Sequence, residues 1–145
     1  MKKIILATHG YMANGLKSAL EIVTRDVSSL IAINAFTPDC ENPEQEIIDI
    51  LAQYPDDGDL LVLTDVFFGS VNQIFMRQMQ RRNLKIVTGI NLLLAMEVMS
   101  LLGQEPSDEE LLEMIELCRK GMRLVTREEV ERRLGSAAQD ADEDL

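Results

Sequence analysis

The single histidine of the chain is the residue whose type and position point most directly to chemistry. An apolar run at residues 4–7 is followed by Thr8, His9 and Gly10, which is the pattern of a buried strand that leads into a tight turn. Ligands bind at the carboxyl ends of the strands in open α/β sheets, and neutral imidazole is a good nucleophile near pH 7. His9 is therefore a candidate nucleophile, with a purely structural histidine as the alternative.

A carboxylate and a hydroxyl occupy comparable places further along the chain. Asp65 follows a second apolar run at residues 60–63, and Gly69 and Ser70 open the next predicted helix. A carboxylate beside an imidazole can hold one ring N–H and leave the other nitrogen free to attack. The unpaired N–H groups of a first helical turn, next to glycine and serine, can hold an anion. Together these residues predict a phosphoryl-accepting histidine, although capping by Asp65 and ordinary turn chemistry at Gly69 and Ser70 are the alternatives.

The elements that must position these residues alternate between apolar strands and segments of helical periodicity. Strands are predicted at 4–7, 30–34, 60–63 and 84–88, and helices at 11–24, 43–54, 70–82, 91–102 and 107–120. This alternation predicts an α/β fold with an open, mostly parallel, doubly wound sheet and helices on both faces. The commonest order, 2-1-3-4, makes the first and third strands neighbours. His9 and Asp65 then flank one crevice.

Composition and charge exclude several classes of function. The 145 residues fit one domain, and the net charge of −11 opposes nucleic-acid binding, which needs clustered lysine and arginine. Such an acidic surface suits either solubility or a basic protein partner. Cys40 and Cys118 lie far apart and have no histidines to complete a metal site, so we expect reduced thiols and neither a metal nor a cofactor. No signal sequence or membrane span is recognisable, which predicts a cytoplasmic protein.

The C-terminal part leaves two structures open. Gly121 and the short apolar stretch up to Thr126 predict either one more strand or an extension of the preceding helix. Residues 127–145 are strongly charged and are expected to form a partly disordered extension, solvated from Gly135 onwards. The predicted organisation is thus one domain at residues 1–126 followed by this extension.

Three motifs carry a resemblance to a known family. The sequences Thr-His-Gly at 8–10, Thr-Asp at 64–65 with Phe-Gly-Ser at 68–70, and Gly-Ile-Asn-Leu at 89–92 resemble the IIA component of the mannose, fructose and sorbose family of the sugar phosphotransferase system (PTS). The resemblance covers about residues 1–125. It implies that the histidine accepts a phosphoryl group from the phosphocarrier HPr and passes it to a IIB component. The membrane components IIC and IID would then be only indirect partners.

The same resemblance assigns roles to individual residues. His9 would be the phosphoryl acceptor, Asp65 its hydrogen-bond partner, and Gly69 and Ser70 the phosphoryl ligands. Secondary site residues would be Thr8, Gly10 and Asn91, of which Asn91 could equally cap the following helix. The family also implies a homodimer in which a C-terminal edge strand near residues 121–126 is exchanged between subunits.

Two positions depart from the family pattern. Phe68 stands where many members have a second glycine, and Val71 stands where many have proline. Phe67 and Phe68 place apolar bulk beside the predicted site, which fits either loop packing or the docking of a partner.

Other functions compatible with this architecture remain as alternatives. The nearest is the phosphotransfer subunit of a PTS-dependent dihydroxyacetone kinase, and another is a regulatory module whose phosphorylation is only sensed. A phosphoaspartate receiver would use Asp65 as acceptor, but residues 8–10 lack the acidic pair that holds Mg²⁺. A flavin module would need a hydroxyl-rich loop, which residues 11–14 do not supply.

Overall fold

The computed structural model describes residues 1–143, with side chains up to residue 140, and its central element is a four-stranded sheet. The strands are β1 (Lys3–His9), β2 (Leu30–Ala35), β3 (Leu60–Thr64) and β4 (Lys85–Thr88). All neighbouring pairs are parallel, and the order is β2-β1-β3-β4. The predicted fold class and strand order are therefore confirmed. Since β1 is central, its carboxyl end lies between those of β2 and β3.

Six α-helices and one short 3₁₀ helix connect or follow the strands. They are α1 (Met12–Thr24), α2 (Pro43–Ala52), the 3₁₀ helix Asp57–Asp59, α3 (Ser70–Gln78), α4 (Leu92–Met99), α5 (Asp108–Arg119) and α6 (Arg127–Glu143). Helices α1, α4 and α5 cover one face of the sheet, whereas α2 and α3 cover the other. No helix within residues 1–143 is long and apolar enough to cross a membrane.

The apolar run of β1 belongs to two hydrophobic cores. Successive side chains of a strand point to opposite faces, so Ile4 and Leu6 pack under α1, α4 and α5, while Ile5 and Ala7 pack under α2 and α3. All four are fully buried. A strand covered on both faces reads as a continuous apolar run, which explains why β1 was recognisable. His9 is the last residue of β1 and the only exposed one in the strand.

The sequence predicted the first residues of the helices more accurately than the last residues. Asn42 caps α2 with Pro43 at its first position, and Ser107 forms a capping box with Glu110 at α5. The predicted end of α3 at residue 82 was wrong, because the helix ends at Gln78 and continues as tight turns. The guanidinium of Arg82 instead donates to the carbonyl of Leu51 in the last turn of α2 and to that of Tyr54 just after the helix, and it pairs with Asp57. Likewise α2 and α4 end at residues 52 and 99, two and three residues earlier than predicted.

The C-terminal part differs from both sequence expectations. Residues 122–126 form neither a strand nor an extension of α5 but exposed irregular chain, since a strand needs a neighbour and none in the described sheet pairs with them. Disorder was expected from residue 135, yet α6 extends to Glu143, supported by ion pairs four residues apart from Arg127 to Glu131 and from Arg133 to Glu129. Residues 144–145 lie outside the described chain. The domain division at residue 126 stays a prediction.

Candidate active site

His9 is held between two side chains that come from other elements. It is the last residue of β1, and Gly10 follows with a φ of +58°, the left-handed conformation that glycine adopts freely. The ring Nδ1 lies 2.8 Å from Asp65 Oδ2, and the ring Nε2 lies 2.8 Å from Ser70 Oγ. The structure thus brings together His9 and Asp65, which the sequence placed at neighbouring strand ends, and Ser70, which it placed at the start of the next helix.

Asp65 decides which ring nitrogen is free. Its Oδ2 also accepts the backbone N–H of His9 at 2.8 Å, and its Oδ1 accepts the N–H of Val66 at 2.9 Å. Burial of the carboxyl raises its pKa, but these hydrogen bonds and the charge of His9 outweigh burial and lower the pKa of Asp65 below its usual 3.8. A carboxylate can only accept, so Nδ1 carries a proton and Nε2 keeps the lone pair. Asp65 therefore orients the imidazole and does not cap α3.

Gly69 and Ser70 bring the start of α3 against the histidine. Ser70 is the first residue of the helix and Gly69 precedes it. A Cβ at Gly69 would lie 3.3 Å from His9 Cε1 and 3.1 Å from the Val66 carbonyl oxygen, closer than most real contacts. Glycine therefore permits the close approach of loop and ring. The first N–H groups of a helix lack acceptors within the helix, so this turn and the Ser70 hydroxyl can receive an anionic group on Nε2.

Three exposed phenylalanines lie on the segments that flank the histidine, and we define them as the aromatic rim: Phe36 after β2, and Phe67 and Phe68 in the loop before Gly69. Phe67 and Phe68 are 65% and 58% exposed and meet edge to face with ring centroids 4.6 Å apart. Phe36 stacks over His9 with centroids 5.7 Å apart. Phe36 was missed by the sequence analysis, although it directly follows β2, whose last residue is paired with His9.

Phe68, one of the two positions that depart from the family pattern, has an unusual backbone conformation. Its φ is +58°, in the left-handed region, where residues with a Cβ are disfavoured and glycine is not. A glycine would adopt this turn without that cost. Phe68 adopts it and adds an exposed ring to the rim.

The secondary site residues have structural roles in the described chain. The buried Thr8 hydroxyl accepts the N–H of Ala13 at 2.8 Å and so ties the end of β1 to α1. Asn91 caps α4 by accepting the N–H of Leu94 at 2.9 Å. Neither side chain is hydrogen-bonded to His9 among the contacts described for residues 1–143. Gly10 forms the turn after β1 and donates its N–H to Ala35.

Clustered metal-ligating side chains and free thiols are the other kinds of reactive group that the described residues could supply. Within residues 1–143, no group of three or more histidine, cysteine or acidic side chains could hold a metal ion. Cys40 and Cys118 are free and buried. Burial, together with a hydrogen bond from the thiol to the negatively charged Glu46 carboxylate, raises the pKa of Cys40 to about 12, so this thiol stays protonated at neutral pH.

Comparison with known proteins identifies a family and similar folds. The profile of the EIIA-man family, described as PTS system fructose IIA component, matches residues 3–116. A solved structure from Klebsiella pneumoniae, described as a phosphoenolpyruvate-dependent sugar phosphotransferase system permease, is 25% identical with a TM-score of 0.74, covering 84% of this chain and 89% of that one.

Two further solved structures show the same fold. Phosphotransferase system component EIIA from Streptococcus agalactiae is 23% identical with a TM-score of 0.70, covering 86% of this chain and 97% of that one. The mannose/sorbose specific IIA subunit from Enterococcus faecalis is 22% identical with a TM-score of 0.70, covering 87% and 96%. The comparison with curated proteins finds no match. The match over residues 3–116 spans most of the chain, and with it the chain belongs to the EIIA-man family of phosphotransferase system IIA components.

Proposed function

We propose that this PTS component is a phosphocarrier that accepts a phosphoryl group from phospho-HPr on His9 and passes it to a IIB component. The observation that carries the proposal is the placement of the His9 ring, with Nδ1 on a carboxylate and Nε2 on the Ser70 hydroxyl. This arrangement leaves a single nucleophilic nitrogen that faces the start of a helix.

The transfer step follows from these contacts. The Nε2 lone pair attacks phosphorus, a bond forms between Nε2 and phosphorus, and the bond from phosphorus to the donor atom of HPr breaks with its electron pair. The His9 ring then carries a positive charge, which the Asp65 carboxylate stabilises through Nδ1–H. The Ser70 hydroxyl, no longer bonded to the Nε2 lone pair, turns to donate to a phosphoryl oxygen. Transfer to IIB is the same step in reverse with a different acceptor.

The aromatic rim is proposed as the surface that docks both protein partners. Its three rings are more than half exposed although they are large and apolar, and exposed aromatic groups beside a reactive residue are typical of interfaces. Phe67→Ala should raise the concentration of phospho-HPr that gives half-maximal transfer and leave the saturating rate almost unchanged. An unchanged half-maximal concentration would assign Phe67 to loop packing.

The test of the function is phosphoryl labelling. Phosphoenolpyruvate, Enzyme I and HPr should add one acid-labile phosphate to each chain, and His9→Ala should add none while keeping the circular dichroism of the fold. Label that persists in His9→Ala would contradict the proposal. Addition of a purified IIB component should then discharge the label, whereas a sensing module would keep it and a dihydroxyacetone kinase subunit would pass it to that kinase.

We also propose that the protein is a homodimer through residues 122–126. Met122, Leu124 and Val125 are all more than two-thirds exposed, and β4 has only one neighbour in the sheet. Exchange of this stretch between two chains would cover the free edge of β4. Light scattering should give about twice 16.3 kDa, and truncation before Gly121 should lower that mass or cause aggregation. A monomer at tens of micromolar would refute the exchange and leave the phosphoryl chemistry unaffected.

A further inference from the structure

We infer that Asn72 is a positioning residue that fixes the loop at residues 66–69 so that Ser70 meets His9; the inference rests on the proposed function. Asn72 lies in the first turn of α3 and is 3% exposed. Its Nδ2 donates to Thr64 Oγ1 at 3.0 Å, and its Oδ1 accepts the N–H of Phe68 at 3.1 Å. The amide therefore bonds to the end of β3 on one side and to the loop on the other.

The loop needs such support because Phe68 adopts an unfavourable backbone conformation. A left-handed conformation is disfavoured for a residue with a Cβ and persists only where its surroundings hold it. Both backbone polar groups of Phe68 are held by side chains of α3, the N–H by Asn72 and the carbonyl by Gln73 Nε2 at 2.6 Å. Without these bonds, the loop would relax towards ordinary dihedral angles.

Relaxation of the loop would separate the partners of His9. Phe68 directly precedes Gly69, which lies in close contact with the ring, and Ser70 follows. On the other side of the amide, Thr64 directly precedes Asp65. Asn72 thus links the segment that carries the Nδ1 partner to the helix that carries the Nε2 partner. Its loss should weaken the alignment of Ser70 with Nε2 without touching the imidazole itself.

The amide is matched to its two neighbours. The backbone N–H of Phe68 needs an acceptor, and the Asn72 NH₂ group supplies a donor for the Thr64 hydroxyl. Asn72→Leu removes both bonds at similar volume. Thr64→Val removes only the bond to β3 and leaves the bond to the loop.

The experiment is single-turnover transfer from preformed phospho-HPr in a double-mutant cycle with Ser70→Ala. Asn72→Leu should lower the saturating rate at least tenfold in the wild-type background but less than threefold in the Ser70→Ala background, because the hydroxyl that it positions is then absent. Thr64→Val should give a smaller loss than Asn72→Leu. Val98→Ala leaves a cavity on the buried side of α4 and so lowers the stability of the fold away from the site. It is the control for lost stability and should leave the rate unchanged.

Equal losses in both backgrounds would overturn the inference, and so would a loss no larger than that of Val98→Ala. A readout that needs no phosphoryl transfer separates this result from failure of the proposed function. In the unphosphorylated protein, Asn72→Leu should move the ¹⁵N chemical shift of His9 Nε2 in the same direction as Ser70→Ala does. An unmoved shift would show that Asn72 does not position Ser70. If Asn72→Leu does not fold, the same two measurements on Thr64→Val decide the question.

Discussion

Replacement of Asp65 by asparagine tests the chemistry of the site with almost no change in shape. The carboxylate accepts from the backbone N–H of His9, the ring Nδ1–H and the backbone N–H of Val66, using both oxygens. An asparagine has only one oxygen. If that oxygen faces His9, the new NH₂ group faces the Val66 N–H, and that donor loses its acceptor. If the side chain turns round, Nδ1 must become an acceptor, so the proton moves to Nε2 and the nucleophilic lone pair is lost.

The expected loss of transfer rate can be calculated from the hydrogen bond to the carboxylate that is lost in either arrangement. A hydrogen bond to a charged group contributes about 1.5–3 kcal/mol, and 1.36 kcal/mol corresponds to a tenfold change in rate. Asp65→Asn should therefore lower the rate of transfer from phospho-HPr to His9 by about 10- to 150-fold. Because the positive charge on the ring develops only during transfer, the loss should fall on the saturating rate and not on partner affinity.

Rapid-quench measurement with preformed phospho-HPr provides the assay. Asp59→Asn is the control, because it removes the same charge at the amino end of β3, where Asp59 pairs with the exposed Lys2. It should transfer at the wild-type rate. A rate for Asp65→Asn within twofold of the wild type, with the fold intact, would refute the assignment of Asp65 as the residue that orients and stabilises the imidazole.

Three further predictions concern the same site. Gly69→Ala should slow transfer about threefold, because the new Cβ must displace the His9 ring by a few tenths of an ångström. The control Gly15→Ala places a Cβ that meets no atom within 4 Å and should not slow transfer. Equal rates for both variants would contradict the close approach of Gly69 to the ring. The lowered pKa of folded Asp65 means that its ionised form stabilises the fold above about pH 4 and that this stability is lost as the pH falls further. Urea unfolding of Asp65→Asn should accordingly depend less on pH between about 5 and 3 than that of the wild type, and parallel curves would refute this. The isolated step from phospho-HPr to His9 should proceed in EDTA, and its loss on chelation would reveal a metal requirement.

Sequence patterns alone determined the sheet and the pairing of the two key residues. The strands were recognisable because burial on both faces makes them continuous apolar runs, and the strand order is the commonest one for doubly wound sheets. His9 and Asp65 could be paired because each stands one threonine beyond such a run, at the end of a strand. Ser70 could be predicted as a site residue because a glycine and a serine begin the helix that follows Asp65. These are local signals combined with one rule of topology.

Tertiary structure decided what depends on contacts between distant segments. Phe36 lies over His9 because a left-handed turn and a bridge between Thr37 and Cys40 direct the chain back after β2. The role of Asn72 depends on two hydrogen bonds of about 3 Å to separate segments. No pattern of residue types in the sequence indicates either bond. Residues 122–126 are irregular chain in this structure for the same reason, because an apolar stretch becomes a strand only where a neighbouring strand completes its hydrogen bonds.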